Sequence, residues 1–493
     1  MHYLLQISLS SLFALFLCIG AVPLVATTIQ LSKQTSESLM EEYDLIIITP
    51  NELKDAFQPL KAHKDNNDIQ TVLVDLHEIY SGKYFSATGR DDAEQIKYFI
   101  KNAIEHWNTQ YVMLVGGKEQ MPVRYVRIYF NTLQSNRIAV NPANLLPYTI
   151  GESGFISDLY YADIYDENNS FCSWDSNNNG VYAEMNATTI IDSVDLYPDI
   201  CIGRVLCQNQ SETQSLVQKI ITYENQAYGK EWFDKIIIAG GDEHANIFLE
   251  NFLHIGFESF GRTAWEGEYI GNTVAQYLPR FEAQKYYASG TFIPGADPLT
   301  CENLNTAINN GSGFLLLSGH GTPTKISTHP PYQKDVWIPE PSGYTISELQ
   351  TLQNAEKLPV AVLCACSTGN FDAIQTPFAW ELVKNPDGGS IATYAVTVQA
   401  NVQPSTLCTK TLLGHLTVGV FKTYAEKTDI AGEIWKTTIE NYLNDDEALE
   451  LGAPDIQIGP LIIKAEAIWA NHLNVEQWEL FGDPSLKIGG YPS

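Results

Sequence analysis

The feature that most constrains this chain is a series of short apolar runs, most of them followed closely by a proline, a glycine or a polar turn. Leu45-Ile46-Ile47-Ile48, Ile69 to Val74 and Tyr111 to Val115 come first. Ile200 to Val205, Ile236 to Ala239, Phe314 to Leu317, Val360 to Leu363 and Ser390 to Tyr394 follow. Runs of this length that do not alternate with polar residues are those of strands buried on both faces, as in parallel sheets. Helical patterns lie between them. Leu53, Phe57 and Leu60 recur at helical spacing, and Asp91 with Glu94 predicts a capping box ahead of the stripe Ile96, Ile100, Ala103, Ile104 and Trp107. Strand alternating with helix predicts an α/β architecture built on doubly wound parallel sheets. Residues 118 to 205 are rich in Asn, Asp, Tyr and Ser and read as long loops. The chain therefore divides into two side-by-side α/β units, residues 43–225 and 226–490.

Charge narrows the partners. Against 29 Lys and Arg stand 58 Asp and Glu, a formal net charge of −29. A chain this acidic repels phosphate backbones, so nucleic acid is not expected as a partner. Residues 1–26 carry the apolar stretch Leu12 to Val25 and then Ala26, which reads as a secretory signal peptide. The expected location is extracellular, with a retained N-terminal anchor as the alternative because the run approaches spanning length. No later segment is long and apolar enough to cross a membrane, and no stable membrane association is expected. Eight cysteines become seven once Cys18 leaves with the signal, and an odd count in an exported protein leaves at least one thiol unpaired.

Two of the apolar runs end in chemistry. Phe314 to Leu317 delivers Ser318-Gly319-His320-Gly321, and Val360 to Leu363 delivers Cys364-Ala365-Cys366-Ser367-Thr368-Gly369. Functional groups in open α/β sheets gather at the carboxyl ends of strands, so neighbouring strands bring this histidine and cysteine together. An ordinary thiol is mostly protonated at neutral pH, and an imidazole beside it can take the proton. Cys364 still belongs to the apolar run, whereas Cys366 opens the turn; Cys366 is the predicted nucleophile and His320 its general base. The N–H groups of Gly321 and Cys366 are the predicted oxyanion hole.

With these blocks the chain resembles the gingipain-type cysteine peptidases, family C25, of the caspase-like clan. The Gly-His-Gly turn and Ala365-Cys366-x-x-Gly369-x-Phe371 look like that family's catalytic blocks. Tyr111 to Gly117, Tyr160 to Asp163 with Ile202-Gly203-Arg204, and Trp478 to Leu486 match further. The resemblance implies a caspase-like fold of two adjacent, mostly parallel sheets flanked by helices. It implies a secreted cysteine endopeptidase that hydrolyses protein or peptide substrates through a Cys366–His320 dyad and a thioester acyl-enzyme. It also implies an acid that orients the histidine, placed after the strand Ile236–Ala239; Asp242 is the nearest candidate and Glu243 the next. The alternative is a weakly active or inactive member serving as a binding or adhesion module.

Two expectations concern smaller features. Asp175-Ser176-Asn177-Asn178-Asn179-Gly180 begins like an EF-hand loop, with Glu184 near the closing position, and the resemblance includes calcium-stabilised loops. Asp175, Asn177, Asn179 and Glu184 are thus candidate ligands for a structural calcium ion, a turn-forming Asn/Gly run being the other reading; catalysis itself calls for no cofactor. Gln399 to Leu407, which should border the pocket for the residue before the cut, contains no acid. A strict preference for Arg or Lys is therefore not expected, with Asp372 the nearest acid from another loop.

Overall fold

The computed structural model describes residues 42–129, 154–186, 189–243, 265–290, 295–452, 456–458, 461–463 and 468–492. Residues 1–26, read above as a signal peptide, lie outside them.

Every predicted apolar run appears as a strand of one large sheet. Numbered in chain order, its strands are β1 (Leu45–Thr49), β2 (Thr71–Asp75), β3 (Tyr111–Val115), β4 (Cys201–Val205), β5 (Lys235–Gly240), β6 (Glu282–Tyr287), β7 (Ala296–Pro298), β8 (Phe314–Ser318), β9 (Val360–Cys364), β10 (Ala392–Val396) and β11 (Trp478–Phe481). Their spatial order is β7-β6-β5-β8-β9-β10-β11-β4-β3-β1-β2. β1, β3, β4, β8, β9 and β10 are buried at every position, as strands covered on both faces must be.

The expected pair of adjacent sheets is corrected here: the two sets of strands form one eleven-stranded sheet, and the other sheets are small, with two to four strands each. The reason is β11. It pairs antiparallel with β10 from Thr393↔Phe481 to Val396↔Trp478, and it meets β4 in parallel at Phe481↔Arg204. All other pairings in the sheet are parallel. The strands from β5 to β10 therefore run opposite to the rest, and their carboxyl ends line a single edge.

The seam depends on close approach. A Cβ at Gly203 would lie 2.5 Å from the Gly482 carbonyl oxygen, so only glycine lets β4 lie against the turn after β11. Arg204 is buried there, pairs with Asp158 and donates to the Gly116 carbonyl at 2.9 Å. The Asp158 N–H in turn donates to Glu479 Oε1 on β11 at 2.7 Å. Burial with Asp158 beside it holds the Glu479 carboxyl well above its usual range. Nearby, buried Lys64 reaches Glu224 at 2.8 Å and the Ser485 carbonyl at 3.2 Å, tying the chain's last segment to two helices. Buried charges of this kind persist because each is paired and hydrogen-bonded.

One local prediction is half met. Asp91 caps the helix Asp92–Trp107 by accepting the Glu94 N–H at 2.9 Å. The Glu94 carboxylate takes the Arg90 N–H at 2.5 Å instead of returning to the cap residue.

Candidate active site

β8 and β9 are parallel neighbours in the register Leu317↔Leu363 and Ser318↔Cys364. His320 and Cys366 thus stand at matched positions, each two residues past a paired strand end. The Gly319 N–H donates to the Cys364 carbonyl at 3.1 Å, which extends the pairing one step. At His320 the chain leaves the large sheet for a small one, His320–Thr322 against Lys325–Ser327 and Tyr344–Thr345. A Cβ on Gly321 would lie 2.1 Å from the Cys366 carbonyl oxygen and 2.9 Å from its nitrogen. Any side chain there would push the two turns apart, so this glycine lets the histidine turn lie on the backbone of the cysteine.

Cys366 sits in a tight turn followed by Ser367 at φ 56, a left-handed conformation that non-glycine residues seldom hold. The Ser367 N–H donates to the Val398 carbonyl at 2.7 Å and helps to fix that turn. Cys366 is a part-buried residue whose thiol points its proton at the Ala400 carbonyl, 3.4 Å away. Among the described residues no main-chain oxygen accepts the Cys366 N–H. Cys364, two residues back, is 0% exposed. Burial pushes both thiols up, and Cys364 goes well beyond the ordinary thiol range. All seven described cysteines are free thiols, and only Cys301 and Cys366 reach the surface in part.

His320 is partly exposed, with Nε2 2.9 Å from the Glu243 backbone carbonyl oxygen. A carbonyl can only accept, so Nε2 carries the proton and Nδ1 is the basic nitrogen of the neutral ring. Glu243 follows β5, as the resemblance required of the orienting residue, but its side chain turns elsewhere. Its Oε1 lies 2.5 Å from the Ser318 hydroxyl, which donates to it. Burial, with Glu266 and Asp242 adding their charges, pushes this carboxyl up to about 8. Asp242 is held by the neighbouring loop: its N–H donates to the His329 carbonyl and its Oδ2 accepts the Tyr332 N–H, both at 3.0 Å.

A third acid escaped the sequence reading. Glu266 opens the helix Glu266–Tyr277, is fully buried, and accepts the Ser405 N–H at 2.7 Å. Its Oε2 has no hydrogen-bond partner among the described residues. The acid-free segment Gln399–Leu407 therefore touches Cys366 through Ala400 and a carboxylate through Ser405. No local signal marks Glu266, because it arrives from a distant helix. Asp372, the acid named beforehand, is engaged by Lys118 at 2.7 Å and by the Tyr125 hydroxyl at 2.8 Å.

The candidate calcium ligands do come together, but around protein donors. Asp175 Oδ1 accepts the Asn179 N–H at 2.9 Å, and Oδ2 accepts the Gly180 N–H at 3.1 Å and the Arg90 guanidinium at 2.6 Å. Asn177 and Asn179 turn their side-chain N–H groups toward Glu184 Oε2, at 3.3 and 2.8 Å. Among the described residues no three His, Cys, Asp or Glu converge as metal ligands would. These contacts are those of the turn-forming reading of the run, with Arg90 supplying a positive charge to Asp175. Adding calcium to chelator-treated protein is expected to leave the melting temperature unchanged. A rise that Asp175→Ala removes would restore the calcium reading.

Comparison with known proteins gives the family and the fold. The model of peptidase family C25 matches residues 38–489. The chain belongs to peptidase family C25. Among solved structures it is similar to the Arg-specific cysteine proteinase gingipain R, with 17% identity over 91% of this chain and 78% of that one and a TM-score of 0.57. It is also similar to the complex of the Porphyromonas gingivalis RgpB pro- and mature domains, with 17% identity, 90% and 79% coverage and a TM-score of 0.56. A third structure, described only as a protease, gives 16% identity, 90% and 78% coverage and a TM-score of 0.53. No curated protein sequence matches. The fold is thus gingipain-like, a large mostly parallel sheet flanked by helices.

Proposed function

We propose that this chain is a secreted cysteine endopeptidase working through Cys366 and His320. The observation that supports the reading is the register Ser318↔Cys364, by which the turns bearing His320 and Cys366 leave neighbouring strands at matched positions on one edge of the sheet. Because burial raises the Cys366 thiol, its resting form is protonated and needs a base. His320 Nδ1 takes that proton, and the thiolate attacks the peptide carbonyl carbon. The N–H groups of Cys366 and Gly321 receive the negative oxygen of the tetrahedral intermediate. As the C–N bond breaks, the imidazolium returns its proton to the leaving amine, and a thioester remains. Water, deprotonated by the same imidazole, hydrolyses it. The Glu243 carbonyl holds the ring in the tautomer these steps require, and the adjacent loop steadies that turn through its contacts with Asp242.

Membership of a peptidase family implies protein substrates. The expectation of no strict Arg or Lys preference rested on the acid-free segment Gln399–Leu407; Glu266, accepting the Ser405 N–H, brings an acid to that segment from a distant helix. The signal-like residues 1–26 support export.

Iodoacetamide tests the reading directly. The expected result is a carboxamidomethyl group on Cys366, located by mass spectrometry, with peptide hydrolysis falling in step with its occupancy. Modification of Cys301 alone, with hydrolysis lost in step, or full activity after Cys366 is modified, would overturn it.

A further inference from the structure

Beside His320 stands an aromatic platform that no step above uses. Trp337 lies 5.4 Å from the His320 ring, centroid to centroid, at an interplanar angle of 76°. It packs 3.9 Å from the ring of His329, which is itself buried and turns Nδ1 to the Val336 carbonyl at 2.7 Å. The loop that carries these residues is closed at its base by two hydrogen bonds, Thr328 N–H to Ile338 O at 2.8 Å and Ile338 N–H to Thr328 O at 2.9 Å. The indole is thus held from below, yet it is 44% exposed, the one exposed tryptophan among the described residues. Tyr332, from the same loop, is 50% exposed. A rigid aromatic at a site's rim is a common anchor for a partner.

We propose that Trp337 forms a subsite for a bulky apolar side chain on the substrate residue that follows the scissile bond. This rests on the cysteine-peptidase reading. The imidazole that donates to the leaving amine must come within hydrogen-bond reach of that nitrogen, about 2.6–3.2 Å. The residue bearing the amine therefore starts at His320, and the large apolar surface flanking His320 is Trp337. An aromatic or long aliphatic side chain would cover the indole. Glycine at that position would leave it wet.

The test uses peptides identical up to the cut and differing after it, with Phe, Leu or Gly as the next residue. The wild-type protein is expected to favour Phe and Leu over Gly in kcat/KM by roughly 10-fold, the scale on which one apolar side chain discriminates. Trp337→Ala is expected to erase most of that ratio through loss on the bulky peptides, and Trp337→Phe to restore part of it. The rate of Cys366 alkylation reports in parallel whether the nucleophile turn is intact. A wild-type enzyme indifferent to the residue after the cut, or a Trp337→Ala variant that keeps the wild-type ratio, refutes the subsite while leaving the peptidase reading standing. Hydrolysis of no peptide by the wild type refutes both.

Discussion

Cys366→Ala is expected to lower peptide hydrolysis by on the order of 10⁴-fold or more, because a covalent route loses its attacking atom and no neighbour can replace it. The nearest thiol, Cys364, is fully buried and still paired within β9, and burial holds its proton far more firmly than that of Cys366. It can neither reach a substrate nor ionise at neutral pH. Cys364→Ala should accordingly keep iodoacetamide labelling at Cys366 and retain activity. Its effect is on stability, on the order of 1 kcal/mol for a small buried group removed from a packed core. Measuring kcat/KM and the labelled residue in both variants separates the two cysteines. Activity that disappears with Cys364 and survives loss of Cys366 would exchange their roles.

What the sequence made legible follows from where its physics is local. Strands covered on both faces must be apolar throughout, so β1, β3, β5, β8 and β9 are visible as runs. β6, Glu-Ala-Gln-Lys-Tyr-Tyr, and β7, Ala-Asp-Pro, lie at the sheet margin with exposed positions and have no such signature. The single large sheet was hidden for another reason. It depends on β11, near the end of the chain, inserting between β10 and β4, and nothing within Trp478–Phe481 states its partners. At the site, His320 and Cys366 could be read because each directly follows a strand. Their orienting group could not, since the atom beside His320 Nε2 is a backbone carbonyl and every residue has one. The acidic loop shows the limit of local spacing in another way. Its spacing suggested calcium, while Arg90, far away in the chain, supplies the positive charge to Asp175.

His320→Ala is expected to cost about 10² to 10⁴-fold in kcat/KM near neutral pH, the usual contribution of a positioned general base. The size of the effect depends on the state of the thiol. Were Cys366 a thiolate at rest, loss of the imidazole would remove mainly the acid for the leaving amine. Burial raises this thiol, so at pH 7 it holds its proton in both proteins. In the wild type His320 Nδ1 accepts that proton during attack, so activity does not wait for the thiol to ionise in solution. In the variant the thiol must ionise unaided, above the ordinary thiol value of about 8.5. The residual activity should therefore climb more steeply with alkaline pH than that of the wild type, and the gap between them should narrow. Replacing His320 should leave the fold in place, because the turn is set by Gly319 N–H to Cys364 and by the glycine contact of residue 321. A pH profile of kcat/KM for both proteins, with circular dichroism to confirm the fold, is the measurement. A variant with near-normal turnover at pH 7, or one whose loss is the same at every pH, would show that another group deprotonates Cys366.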